Sequence, residues 1–197
     1  MTTSSLLPTD SLTCSREKAY QLLQFADEIH SADVVNSAID RVAKEITAAL
    51  AQENPLVLCV MRGAAVFAGQ LLTRLRFPLN FDYADVTRYG VNTSGGTLEW
   101  RYLPDDKVAG RAVLLLDDIL DEGITLAAIR DKLVAAQARQ VWTAVLMEKT
   151  TGRAKCARAD FVGLSVPDRY VFGCGMDVHG YWRNLPSIHA LRESDHE

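Results

Sequence analysis

The chain has 197 residues and a formal net charge of −4, and 48% of it is hydrophobic, enough for one domain with a full core. No long basic run appears, which argues against nucleic acid as a main partner, and no apolar stretch reaches the length of a membrane span. Cys14, Cys59, Cys156 and Cys174 form no CxxC pair, so the expectation is free thiols in a reducing cytoplasm rather than a disulfide framework.

Met1 to Thr13 is polar and Ser/Thr-rich, without the basic start and apolar centre of a secretory signal, and reads as a loose leader. Residues 15–30 have a helical pattern marked by Tyr20, Leu23 and Ile29. Asp33 is the expected cap of a second helix to about Leu50, with Val34, Ile39, Val42, Ile46 and Leu50 on its inner stripe. Leu56 to Met61 reads as a buried strand, Arg62-Gly63 turns out of it, and a helix follows over 64–74. Leu79 to Thr87 alternates like a strand, 88–96 is a polar, Gly-rich loop, and Thr97 to Leu103 is a returning strand. Val113 to Leu116 is an apolar run that ends in acid: Asp117, Asp118, Asp121 and Glu122. A helix then runs to about Ala138, Val141 to Met147 is another buried strand closed by Glu148-Lys149, and Phe161 to Val166 is a further short one. Strands alternating with helices predict an α/β domain with a mostly parallel sheet covered on both faces.

The acidic stretch carries the chemistry. Ligands of open α/β sheets bind beyond the carboxyl ends of the strands. Four carboxylates within six residues there are costly unless a cation or a polyhydroxylic ligand shares them. Asp117 and Asp118 suit sugar hydroxyls or a magnesium-bound sugar. Gly123 allows a tight turn. Thr125 and the amides from Glu122 through Ile124 to Leu126 sit at a helix N-terminus, a ready anion site. A sugar phosphate satisfies both halves.

With these residues in view, Val113 to Thr125 resembles the phosphoribosyl-pyrophosphate motif of the type I phosphoribosyltransferases. It departs at Glu122, where the family usually has Thr, and at Ile124, where a polar residue or Lys is common. Other segments resemble the hypoxanthine-guanine phosphoribosyltransferase family and extend the likeness over most of residues 55 to 191. Met61-Arg62-Gly63 resembles the family's short pyrophosphate loop, which often holds a cis peptide before a basic residue. Arg88-Tyr89-Gly90 resembles the start of its mobile lid. Val166 to Gly173 and Gly175-Met176-Asp177 complete the pattern.

The resemblance implies a type I phosphoribosyltransferase fold, a mostly parallel twisted sheet flanked by helices with a small hood and a mobile lid loop. It implies one domain over residues 1–197, with residues 1–14 a leader, 88–97 the lid and 166–191 the base-binding hood segment. It implies Asp121 as the general base at purine N7. Asp117, Asp118, Glu122, Gly123, Ile124 and Thr125 would bind the ribose 5-phosphate. Met61, Arg62, Gly63, Arg169 and Arg183 would hold pyrophosphate. Lys149 would donate to the purine 6-oxo group, Tyr170 would stack on the base, and the Val171 backbone would read its edge. Asp117, Asp118 and Asp177, the last beside the purine, would serve magnesium (Mg2+). Arg88 and Tyr89 would belong to the lid. The expected partners are phosphoribosyl pyrophosphate and a 6-oxopurine, hypoxanthine or guanine with xanthine open, and a homodimer or homotetramer. A nucleotide-sensing RNA-binding regulator on the same fold is the alternative, opposed by the acidic charge and the lack of a basic stripe.

Overall fold

The computed structural model describes residues 14–89 and 97–192. The leader up to Thr13 and the tip of the expected lid, Gly90 to Gly96, lie outside the described residues.

A six-stranded sheet runs through the molecule. Its strands are β2 (Leu56–Met61), β3 (Asn80–Tyr89), β4 (Thr97–Tyr102), β5 (Ala112–Leu120), β6 (Gln140–Thr150) and β7 (Phe161–Pro167). The spatial order is β4-β3-β2-β5-β6-β7. All neighbours pair in parallel except β3 and β4, an antiparallel hairpin at one edge. The parallel strands are apolar on both faces because helices cover both. Alternate residues Val57, Cys59, Leu114, Leu116, Ala144 and Leu146 join the core beneath α2 (Ala32–Leu50) and α3 (Ala65–Leu72). The intervening Leu56, Leu58, Val113, Leu115 and Val145 pack with Leu126, Ile129 and Leu133 of α4 (Ile124–Ala135).

A second, three-stranded sheet forms a small hood, in the order β1 (Asp27–His30), β9 (Ile188–Ala190), β8 (Val171–Phe172). Both of its pairings are antiparallel. Phe172, Val178 and Leu191 form a separate apolar cluster against Leu22 and Leu23 of the N-terminal helix α1 (Arg16–Phe25).

Several expectations are corrected. The helix expected over 15–30 stops at Phe25, and Asp27 to His30 becomes the outer hood strand. The second helix is capped by the Ser31 hydroxyl, which accepts from the Val34 amide, while Asp33 sits in the first turn. Ile39, Val42, Ile46 and Leu50 are buried as expected, but at the start of the stripe Val35 is buried and Val34 is exposed, since residue 35 lies one helical turn before 39. The acidic stretch is not all loop. Strand β5 continues through Asp117 and Asp118, and Asp117 and Ile119 stand in register with Val145 and Met147 of β6.

Candidate active site

The site lies at the carboxyl ends of β2, β5 and β6, the position that parallel topology favours for ligands. Two adjoining clefts meet there. One, of about 270 Å³, is bounded by Met61, Gly63 and the run from Asp117 to Leu126. The other, of about 200 Å³, is bounded by Lys149, Tyr170, Val171, Met176, Asp177 and Arg183. Asp118, Ile119 and Asp121 line both.

The first cleft is a cradle. Asp117 Oδ1 accepts from the Asp118 amide at 3.0 Å, and Asp118 Oδ1 accepts from the Ile119 amide at 2.8 Å. Burial pushes the Asp117 carboxyl well above the usual carboxylate range, and the charge of Asp118 adds to the effect. Burial also raises Asp118, against the pull of its hydrogen bonds and of the Arg183 charge. The Cys59 thiol beneath is pushed up to about 12 by burial and by these two acids. An acid pair held this far from water gains by binding a cation or a set of hydroxyls.

Gly123 has φ +79° at the N-terminus of α4, a conformation that suits glycine. A Cβ there would lie 2.8 Å from the Ala157 backbone nitrogen. The Cys156 amide donates to the Glu122 carbonyl at 2.8 Å, so the Cys156–Ala157 segment closes over the turn. The first intrahelical bond at this end runs from the Ala127 amide to the Gly123 carbonyl; the preceding amides have no carbonyl one turn back and so suit a phosphate. Ile124 and Thr125 line the cleft with them, and so does Glu122, which is exposed.

The opposite wall is the Met61-Arg62-Gly63 turn, where the Met61–Arg62 peptide is cis. Arg62 is exposed. Gly63 presses on Asp118, whose carboxylate occupies the space a Cβ would need.

The second cleft contains the residues that the resemblance assigns to the purine. The Lys149 ammonium, at the end of β6, lies 2.8 Å from Asp121 Oδ2. The Tyr170 hydroxyl donates to the Asp177 carbonyl at 3.0 Å. Asp177 accepts from the Gly180 amide at 2.7 Å and pairs with Arg183. Arg183 also donates to the Gly175 carbonyl at 2.7 Å. Gly175, at φ +107°, sits on the Gly63 carbonyl with no room for a Cβ.

Two expected residues stand differently from the resemblance. Arg169 is committed to the hood: it pairs with Asp27 at 2.7 Å and donates to the Leu191 carbonyl at 2.8 and 3.1 Å. It therefore braces β1 against the chain after β9, away from the cradle. Asp177 does not join Asp117 and Asp118 in a common cage, for among the described residues no three His, Cys, Asp or Glu side chains converge as an ion site. Arg88 and Tyr89 lie on β3, with backbones in register with Leu98 and Thr97.

Sequence reasoning missed Lys155. Its ammonium donates to the carbonyls of Leu120 and Lys149 and to Glu148. A Lys in an irregular polar segment carries no periodic signal that could have marked it.

The family model for the phosphoribosyl transferase domain matches residues 26–179. The chain is 32% identical over 168 residues to the hypoxanthine-guanine phosphoribosyltransferase of Bacillus subtilis, covering 85% of this chain and 93% of that protein. It is 37% identical over 163 residues to the bifunctional protein TilS/HprT of Listeria innocua, which takes in 82% of this chain but only 25% of that longer protein. Among solved structures, a hypoxanthine-guanine-xanthine phosphoribosyltransferase superposes with a TM-score of 0.73 at 28% identity, covering 87% of this chain and 97% of that one. The chain belongs to the phosphoribosyl transferase domain family.

Proposed function

We propose that this family member works in purine salvage, transferring the 5-phosphoribosyl group of phosphoribosyl pyrophosphate to N9 of hypoxanthine or guanine. The products are IMP or GMP and pyrophosphate. The observation that carries this reading is the 2.8 Å pair of Lys149 and Asp121 at the junction of the two clefts. A 6-oxopurine offers an acceptor, O6, beside a proton on N7. An ammonium donor beside a carboxylate acceptor is the complementary pair. Adenine presents a donor in place of O6 and leaves Lys149 without an acceptor, a mismatch that discriminates strongly in a buried site.

In this reading N9 attacks C1 while Asp121 accepts the N7 proton. Tyr170 covers the base, and the Val171 backbone borders its edge. Asp117 and Asp118 take the ribose hydroxyls, and the amides of Gly123 to Thr125 with the Thr125 hydroxyl take the 5-phosphate. Arg62 and Arg183 flank the pyrophosphate. The desolvated Asp117–Asp118 pair suits magnesium, which is commonly held by one or two carboxylates plus substrate oxygens rather than by a full protein cage. When bound, the ion supplies charge neutralisation on the leaving diphosphate.

A cytoplasmic setting and a homodimer or homotetramer belong to the same reading. The free cysteines support the setting, and among the described residues no helix is long and apolar enough to cross a membrane.

The test is pyrophosphate release from phosphoribosyl pyrophosphate and magnesium with hypoxanthine, guanine, xanthine, adenine and orotate offered separately. Turnover with hypoxanthine or guanine and none with adenine or orotate is expected. Turnover with xanthine alone narrows the base to that one, and no release with any base overturns the reading.

A further inference from the structure

Strands β5 and β6 run parallel and their ladder ends at Leu120 opposite Glu148. The next residues on each chain are Asp121 and Lys149, the two that meet in the site. Beyond the last rung β5 ends, while β6 continues to Thr150 paired with β7, so no further backbone ladder ties the residue after Leu120 to β6.

Lys155 stands at that gap. Its side chain is only 13% exposed. Its ammonium lies 3.2 Å from the Leu120 carbonyl, 2.7 Å from the Lys149 carbonyl and 3.0 Å from Glu148 Oε1. Three acceptors match the three donors of an ammonium. The charge is neutralised by Glu148, so its burial is compensated. The residues that follow, Cys156 and Ala157, lie on the Glu122–Gly123 turn.

We propose that Lys155 is a positioning residue for base transfer: its ammonium ties the end of β5 to β6 and fixes Asp121 against Lys149. It touches no substrate. It acts on the peptide carbonyl immediately before Asp121 and on that of Lys149 itself, and so sets where both side chains begin. The proposal rests on the reading of Asp121 and Lys149 as the purine-facing pair. Asp117, Asp118 and the Met61–Gly63 turn are anchored elsewhere, and the Glu122–Gly123 turn keeps its own bond from the Cys156 amide, so the larger effect falls on the purine.

The test is the full-length Lys155→Met variant, which keeps the stem and loses the donors. With magnesium present, kcat/KM for hypoxanthine should fall by about 10- to 100-fold, the scale of a misplaced reacting group, while KM for phosphoribosyl pyrophosphate changes by less than about twofold. A folded variant with wild-type purine kinetics, or one losing equally on both substrates, overturns the proposal. If Lys155→Met does not fold, Lys155→Gln takes its place, keeping a neutral donor. It should lose about threefold or more on the purine alone, and unchanged purine kinetics overturn the proposal there too. If the wild-type protein transfers to no base, the functional reading has failed. The positioning role is then judged from crystal structures of wild type and variant, where an unchanged Lys149–Asp121 separation overturns it.

Discussion

The two clefts of the site are built on different plans. The cradle is made of short runs at adjacent strand ends, Met61 to Gly63 after β2 and Asp117 to Thr125 from β5 into α4. Its geometry follows from a parallel sheet and one left-handed glycine. The base side is gathered from β6, β8 and the turns up to Arg183, and it stands beneath a hood whose strands come from residues 27–30, 171–172 and 188–190. The cradle stands on the long core sheet, whereas the hood is held by short antiparallel pairings, by apolar residues such as Phe172, Ile188 and Ala190, and by polar ties such as Arg169 to Asp27 and Leu191.

The largest effect should come where the two plans meet. Asp121→Asn removes the acceptor shared by both clefts and should lower turnover about 10²–10⁴-fold, with the fold intact by circular dichroism. Near wild-type turnover would take Asp121 out of the mechanism. Gly63→Ala probes the cradle alone. The new methyl must displace the Asp118 carboxylate, and KM for phosphoribosyl pyrophosphate should rise about 10- to 100-fold, the loss typical of ligand groups moved by about 1 Å. Purine binding measured by calorimetry should change far less. Equal losses on both sides would erase the distinction between the clefts.

The smallest effect concerns the hood. Hydrogen bonds from Arg169 and then Arg192 hold the Asp27 carboxyl below its ordinary value of 3.8. A depressed folded-state value means that Asp27 stabilises the fold above about pH 4, and that this contribution disappears as pH falls through the folded value. Asp27 is partly exposed, so Asp27→Asn should lower Tm by a few degrees at most near pH 6. The gap to wild type should narrow and then close as pH is lowered below 3.8 and through the depressed value. A gap that persists there would assign the hood's stability to the carbonyl contacts of Arg169 instead.

The same division governed what could be read from the sequence. The alternating α/β order and the acidic strand end are local signals. The apolar run from Val113 to Leu116 announces a buried parallel strand, and the acids and Gly123 announce the ligand end. The hood strands have four, two and three residues, too short for any period to register, so Asp27 to His30 read as the tail of a helix. Arg169 looked like a pyrophosphate ligand because its neighbours in sequence face the site. Its own side chain is claimed by Asp27, 142 residues away, and no local pattern carries that information. Ser31 lost the reading as helix cap to Asp33 because both are good capping residues. The two-residue difference left Ile39, Val42, Ile46 and Leu50 in the core, with Val35 in place of Val34.

The contact of Gly175 with the Gly63 carbonyl, and of Gly63 in turn with Asp118, has a consequence for anyone recombining segments between relatives. At Gly175 bare backbone meets bare backbone, where no rotamer can absorb a mismatch, and at Gly63 the facing group is the Asp118 carboxylate of the site. A hood taken from one parent and a β2 turn from another will fit only if both supply glycine and the second acid of β5 keeps its place. Residues 63, 118 and 175 are far apart in the chain, yet a crossover library should treat them as a single heritable block.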